Sequence, residues 1–165
     1  MKQKNKKSGR IKRGKGNFIG NAGEYYVMAE LLKQEKIEAL APRNTPDFDV
    51  LAMNEGKAVL LRVKASFEGA WKWMAKKDGS HFRNIGKAND YSVLVKFYSE
   101  NKRPDFYIIP TVVLDGWLTE DYNNWLNKPG QYGQRRNPTR FRMLKEAKNI
   151  ERLQPYLEQW DSLWK

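Results

Sequence analysis

The chain has 165 residues and a formal charge of +12, with 31 Lys and Arg against 19 Asp and Glu. It holds no cysteine and one histidine, His81, which excludes disulfides, thiolate metal sites, cysteine nucleophiles and clusters of histidine ligands. One hydrophobic core is expected at this length, and the basic excess points to a polyanionic partner, nucleic acid ahead of an anionic membrane surface.

Residues 1–16 carry eight basic side chains, three glycines and no acid. The stretch predicts a disordered basic arm, with residues 17–165 as one domain. It is either a solubilising tail or an arm whose Lys12, Arg13 and Lys15 take up phosphate contacts. Asn21 and Glu24 make a capping-box pattern before Tyr25, Met28, Ala29 and Leu32, which predicts a helix over 21–35. A short apolar piece, 37–41, ends at Pro42, and a turn-rich stretch leads to a strand over 48–53. Asn54-Glu55-Gly56 reads as a hairpin turn into a second strand, 57–66. In that strand Val59, Leu61, Val63 and Ala65 share one face, and Leu60, Arg62, Lys64 and Ser66 share the other.

Residues 67–90 show little periodicity. Strands follow over 91–98 and 106–109, then helices over 112–117, 120–126 and 150–160. Between the last two helices lie Lys128, Arg135, Arg136, Arg140, Arg142, Lys145 and Lys148, interspersed with Pro129, Gly130, Gly133 and Pro138. They read as a long loop that lies along a phosphate backbone, through Arg135, Arg136 and Arg140 above all, or is simply solvated. The order predicts an α/β fold, a mixed sheet flanked by helices. No apolar run approaches the roughly 18 residues of a membrane span, and none follows the basic N-terminus as in a secretory signal. A cytoplasmic protein without a membrane partner is expected.

Three residues carry the candidate chemistry. Asp49 stands among Phe48, Val50 and Leu51, where a charge is costly unless paired, and Lys64 stands between Val63 and Ala65. The hairpin can bring the two together at one end of a sheet, and the preceding helix can add Glu24. Carboxylates meeting a lysine there suit a magnesium ion and the activation of water against a phosphate.

Gly20-Asn21-Ala22-Gly23-Glu24, Thr45-Pro46-Asp47-Phe48-Asp49-Val50-Leu51 and Leu61-Arg62-Val63-Lys64-Ala65-Ser66 together resemble the PD-(D/E)XK nuclease superfamily. The segments Trp73 to Lys77, Phe106 to Pro110 and Trp125 to Gly130, with the aromatic end around Trp160, are similar to a bacterial branch with a Holliday-junction-resolvase-like core. The resemblance implies a restriction-endonuclease-like αβββαβ core and a metal-dependent DNA endonuclease. It implies Glu24 and Asp49 as ligands of magnesium or manganese, Lys64 as the residue that positions water, and a homodimer as one form of assembly. Arg62 departs from the pattern, because it occupies the place of an acid or Gln and a guanidinium cannot ligate a cation. It could contact the phosphate instead. The alternative is therefore a nucleic-acid-binding module, for DNA or RNA, that keeps the fold without metal-dependent cleavage.

Each residue also has a plainer reading. Glu24 can be a helix cap, Asp49 a structural partner of Arg62, and Lys64 a solvent-facing strand lysine. Asp47 could replace Asp49, and Glu68 could supply a displaced ligand. His81 reads as a surface or packing residue, and Trp71, Trp73 and Phe82 read as core or as a lid over the site, with base stacking by Trp71 or Trp73 as the alternative.

Overall fold

The computed structural model describes residues 16–42, 45, 47–67, 69–99 and 102–165. The proposed basic arm, with Lys12, Arg13 and Lys15, lies outside the described residues apart from Gly16, and so does Glu68.

The first helix, α1 (Gly16–Lys33), starts before the expected cap, so Asn21 and Glu24 sit inside it and the capping box is not formed. Val27 and Leu31 are the two side chains it buries completely, and ahead of them Gly23 lets the helix approach β3 closely. Glu35 turns the chain at φ +58, and the Lys36 N–H donates back to the Leu31 carbonyl at 3.1 Å. Strands β1 (Ile37–Leu40), β2 (Val50–Asn54) and β3 (Lys57–Phe67) follow as an antiparallel meander. The β2–β3 turn forms where the sequence places it, with Glu55 and Gly56 at φ +48 and +80. Two consecutive positive φ angles suit a tight hairpin.

The connection from β3 runs through β4 (Ala70–Met74) and a turn-rich segment rather than a helix, then enters β5 (Asp90–Phe97) parallel to β3. Strand β6 (Asp105–Pro110) pairs antiparallel with β5, completing a five-stranded mixed sheet in the order β1-β2-β3-β5-β6. The mixed α/β class expected from the sequence is the one observed. Strand β5 is buried on both faces over Asp90 to Val95, with Asp90 and Ser92 the two polar residues among them. The two helices expected over 112–126 are one, α2 (Thr111–Asn127), because Leu114 and Leu118 extend a single buried stripe. Strand β7 (Phe141–Lys145) pairs with β4 as a separate ribbon, and α3 (Glu146–Leu153) precedes two short 3-10 turns.

The sheet has a core on each face. Val27 and Leu31 of α1 meet Val59 and Leu61 of β3, Val93 and Val95 of β5, and the terminal Trp160 and Leu163. On the other face Leu114 and Leu118 of α2 pack with Trp71, Leu94, Tyr107, Ile109 and Leu144. The predicted alternation of β3 holds: Val63 and Ala65 lie under α1, while Arg62 and Lys64 line a cavity bordered by Leu94 and Leu114. The outer edge of β6 is covered where Tyr107 bridges Leu157 and the Glu158 N–H donates to the Phe106 carbonyl at 2.8 Å. This pairing removes a strand edge from solvent.

Candidate phosphate site

Asp49 precedes β2 and is fastened to β3 twice. Its backbone N–H donates to the Leu61 carbonyl at 2.8 Å, and its Oδ2 accepts the Val63 N–H at 2.7 Å. The carboxylate is thereby held one residue from Lys64. Burial pushes the Asp49 carboxyl above its usual range, although the Val63 N–H and the charges of Arg62 and Lys64 pull it down. Burial also lowers the Lys64 amine, against the pull of the Asp49 carboxylate. Both groups are thus shifted toward their neutral forms, as suits proton transfer in a cleft.

The two residues line one cavity of about 190 Å³ together with Asp47, Arg62, Lys76 and His81. Trp73 and Phe82 close part of its wall, meeting edge to face at 6.5 Å, and the Lys64 ammonium lies 5.9 Å from the Trp73 ring centre. Of the expected site residues, Asp49, Lys64 and Arg62 come together here. Glu24 is partly buried on α1, next to Gly23, which approaches β3 from the opposite face, and it does not line this cavity.

Arg62 faces the cavity but is committed to Asp90. Its Nε and one terminal nitrogen donate to the two Asp90 oxygens at 3.0 and 2.8 Å, and that same nitrogen donates to the Arg83 carbonyl at 2.8 Å. The Asp90 side chain is 1% exposed and also accepts from Thr111 Oγ1 at 2.7 Å, which in turn lies 3.0 Å from Ser92 Oγ. Asp90 and Thr111 have no signature in the sequence, because Asp90 closes the aperiodic stretch before the strand expected at 91 and Thr111 falls between the strand expected to end at 109 and the helix expected from 112. His81, expected as a surface or packing residue, has a buried and oriented side chain, its Nδ1 lying 2.8 Å from Asp115 Oδ1. Lys76 carries no signature of its own; the Asp78-Gly79-Ser80 turn after it marks only a folded loop.

The donor chemistry here does not fit a divalent cation. Among the described residues no three His, Asp or Glu side chains form a possible metal group. Asp47 and Asp49 share the cavity with Arg62, Lys64 and Lys76. Magnesium takes oxygen ligands in near-octahedral geometry, and cations beside the carboxylates compete with it. The set suits an anion such as a phosphate group.

A second groove, of about 770 Å³, lies along α2 and β7. Tyr122 and Trp125 stack within it at 5.8 Å, with the Arg142 guanidinium 3.3 Å from the Tyr122 ring centre and Arg136 4.9 Å from that of Trp125. Lys128, Lys145 and Lys148 add charge to its lining. Of the expected phosphate contacts, Arg136 lines this groove and Arg135 is exposed, while Arg140 is tied by its Nε to the Ala75 carbonyl at 2.6 Å. No helix among the described residues is long and apolar enough to cross a membrane.

No protein-family model matches the sequence, and no curated protein matches it. Among the solved structures that are similar in part are the following two. One is a bacterial homing endonuclease, I-Ssp6803I, at 21% identity and a TM-score of 0.40, covering 59% of this chain and 66%, just under two thirds, of that one. The other is Hjc, a Holliday junction resolvase from the archaeal hyperthermophile Archaeoglobus fulgidus, at 12% identity and a TM-score of 0.41, covering 78% of this chain and 84% of that one.

Proposed function

We propose that this chain is a nucleic-acid-binding protein of nuclease-like design whose Asp49–Lys64 cavity receives a backbone phosphate, with DNA as the partner. The observation that carries the reading is the Asp49–Lys64 juxtaposition, joined in one cavity by Arg62 and Lys76. The groove with Arg136, Lys145 and Lys148 offers a second run of positive charge for the same backbone. Residues 1–16, read as a basic arm, would add phosphate contacts through Lys12, Arg13 and Lys15.

In this reading Lys64 faces the bound phosphate, Asp49 is fastened beside it by the Val63 N–H, and Arg62 braces the wall through Asp90. The second reading is a magnesium- or manganese-dependent endonuclease with Glu24 and Asp49 as ligands. The neutral-shifted pair favours it; the donor set opposes it. Incubation with plasmid and branched DNA, with magnesium, manganese or EDTA, separates the two. Binding that persists in EDTA with little cutting is the expected result. Robust metal-dependent cutting that is lost in Asp49→Ala, Lys64→Met and Glu24→Gln would replace the binding reading with the endonuclease.

A further inference from the structure

Three buried polar atoms of residues that line the cavity have no hydrogen-bond partner among the described residues: Lys76 Nζ, His81 Nε2 and Asp47 Oδ1. Buried polar groups in folded proteins are almost always paired, so several orphans around one cavity mark the place of a polar ligand. Lys76 and His81 flank a single closed turn. The Lys76 N–H donates to the Ser80 carbonyl at 2.8 Å and the Gly79 N–H to the Lys76 carbonyl at 3.0 Å, with Gly79 at φ +87. The turn is anchored to β7, because the Ala75 N–H donates to the Arg140 carbonyl at 2.7 Å and Arg140 Nε returns to the Ala75 carbonyl. His81 is 4% exposed in its side chain, and Asp115 holds its Nδ1, so Nε2 is the ring nitrogen left for the cavity.

We propose that Lys76 and His81 form a phosphate-binding corner of this cavity, able to hold one phosphate group without a divalent cation. The proposal rests on the nucleic-acid reading above and assigns the phosphate to residues outside the Asp49–Lys64 pair. Lys76 supplies up to three N–H donors, and His81, its Nδ1 engaged by Asp115, offers Nε2 as a donor when the ring is protonated or as an acceptor for a protonated phosphate oxygen when it is not. Lys64 adds a further amine to the same wall. The carboxylates present are accounted for: Asp49 Oδ2 accepts from Val63 and Asp47 Oδ2 from Asn84, at 2.7 and 2.9 Å. The orphan Asp47 Oδ1 is an acceptor for water or for a protonated phosphate oxygen.

His81 is the only histidine, so its imidazole signals in an NMR spectrum are unambiguous. The full chain is titrated in EDTA with inorganic phosphate, then with a short DNA duplex, and phosphate is tested for displacement of the duplex. The expected result is a saturable shift of the His81 signals by both ligands and mutual competition. Lys76→Met should weaken phosphate binding about ten-fold or more, the scale of removing one charge-assisted hydrogen bond. Lys77→Met, which removes an exposed neighbouring charge, should leave it unchanged. Signals of His81 that do not move in the unmodified protein overturn the corner, whether or not the variants fold. Wild-type phosphate affinity in a folded Lys76→Met variant overturns it equally. Duplex binding that phosphate does not displace and His81 does not report removes the corner and leaves the nucleic-acid reading. Phosphate binding at His81 without any duplex binding does the reverse.

Discussion

Arg62 and Asp90 form a two-bonded ion pair across the parallel β3–β5 junction, with the acid almost wholly buried. The departure from the nuclease motif is therefore a structural brace as well as a missing ligand. Removing one partner of such a pair strands the other. Arg62→Met should cost about 3–5 kcal/mol in urea unfolding. Arg62→Glu should cost at least as much, because it sets two carboxylates against each other. Asp90→Asn added to Arg62→Glu should recover much of that loss, keeping an acceptor for Thr111. The double variant is the clean test of whether Arg62 limits cation binding: it should show magnesium binding by calorimetry that the unmodified chain lacks. A folded double variant without it would clear Arg62 of that role.

Asp49 should trade stability for function. Its carboxyl is raised by burial, so the fold favours the neutral form. The stability linked to that preference is full below the ordinary carboxylate range and is lost as pH rises through the raised value. At neutral pH, Asp49→Asn should therefore unfold at higher urea than the unmodified chain while binding or cutting nucleic acid worse. The difference in stability should vanish as pH falls below about 4, where free Asp is itself protonated. Asp49→Ala should be less stable than Asp49→Asn by about 1–3 kcal/mol, because the Val63 N–H loses its acceptor.

Two glycines of α1 should respond in opposite directions. A Cβ on Gly23 would stand 2.7 Å from Ala65 Cβ and 3.4 Å from Val63 Cγ1. Gly23→Ala must push the helix off β3, at a cost of about 1–3 kcal/mol. Gly20, also helical, has nothing within 4 Å of such a Cβ. Gly20→Ala should stabilise by roughly 0.5–1 kcal/mol through helix propensity alone. Urea midpoints at constant m read both.

The basic groove should show itself in salt dependence. Removing one cation that neutralises a phosphate flattens the slope of log K against log salt by about one unit. Arg136→Ser and Lys148→Met are each expected to do so in a fluorescence anisotropy titration with duplex DNA. Deleting residues 1–15 should weaken binding and flatten the slope further. Identical slopes for all three would place the DNA elsewhere on the surface.

Much of the site was legible before the structure, and the reason is local. Alternation along β3 assigns Arg62 and Lys64 to one face, and the Asn54-Glu55-Gly56 turn sets the hairpin that returns Asp49 to that strand. Neighbours in sequence determine such features, through the pleat and the φ preferences of a tight turn. Other features depended on residues far apart. Trp71 and Trp73 stand in a stretch without strand periodicity, their partner β7 lies some seventy residues on, and the pairing rests on burying Trp71 and Leu144 together. The same ribbon carries the loop that sets Lys76 and His81 against the cavity, and α2 brings Asp115 to His81 only once Leu114 is buried on the sheet. Charge, strand parity and turn chemistry were written in the sequence. Which cations the cavity collects, and that Arg62 is claimed by Asp90, was decided by packing, because a buried polar group takes whichever partner the fold brings within reach.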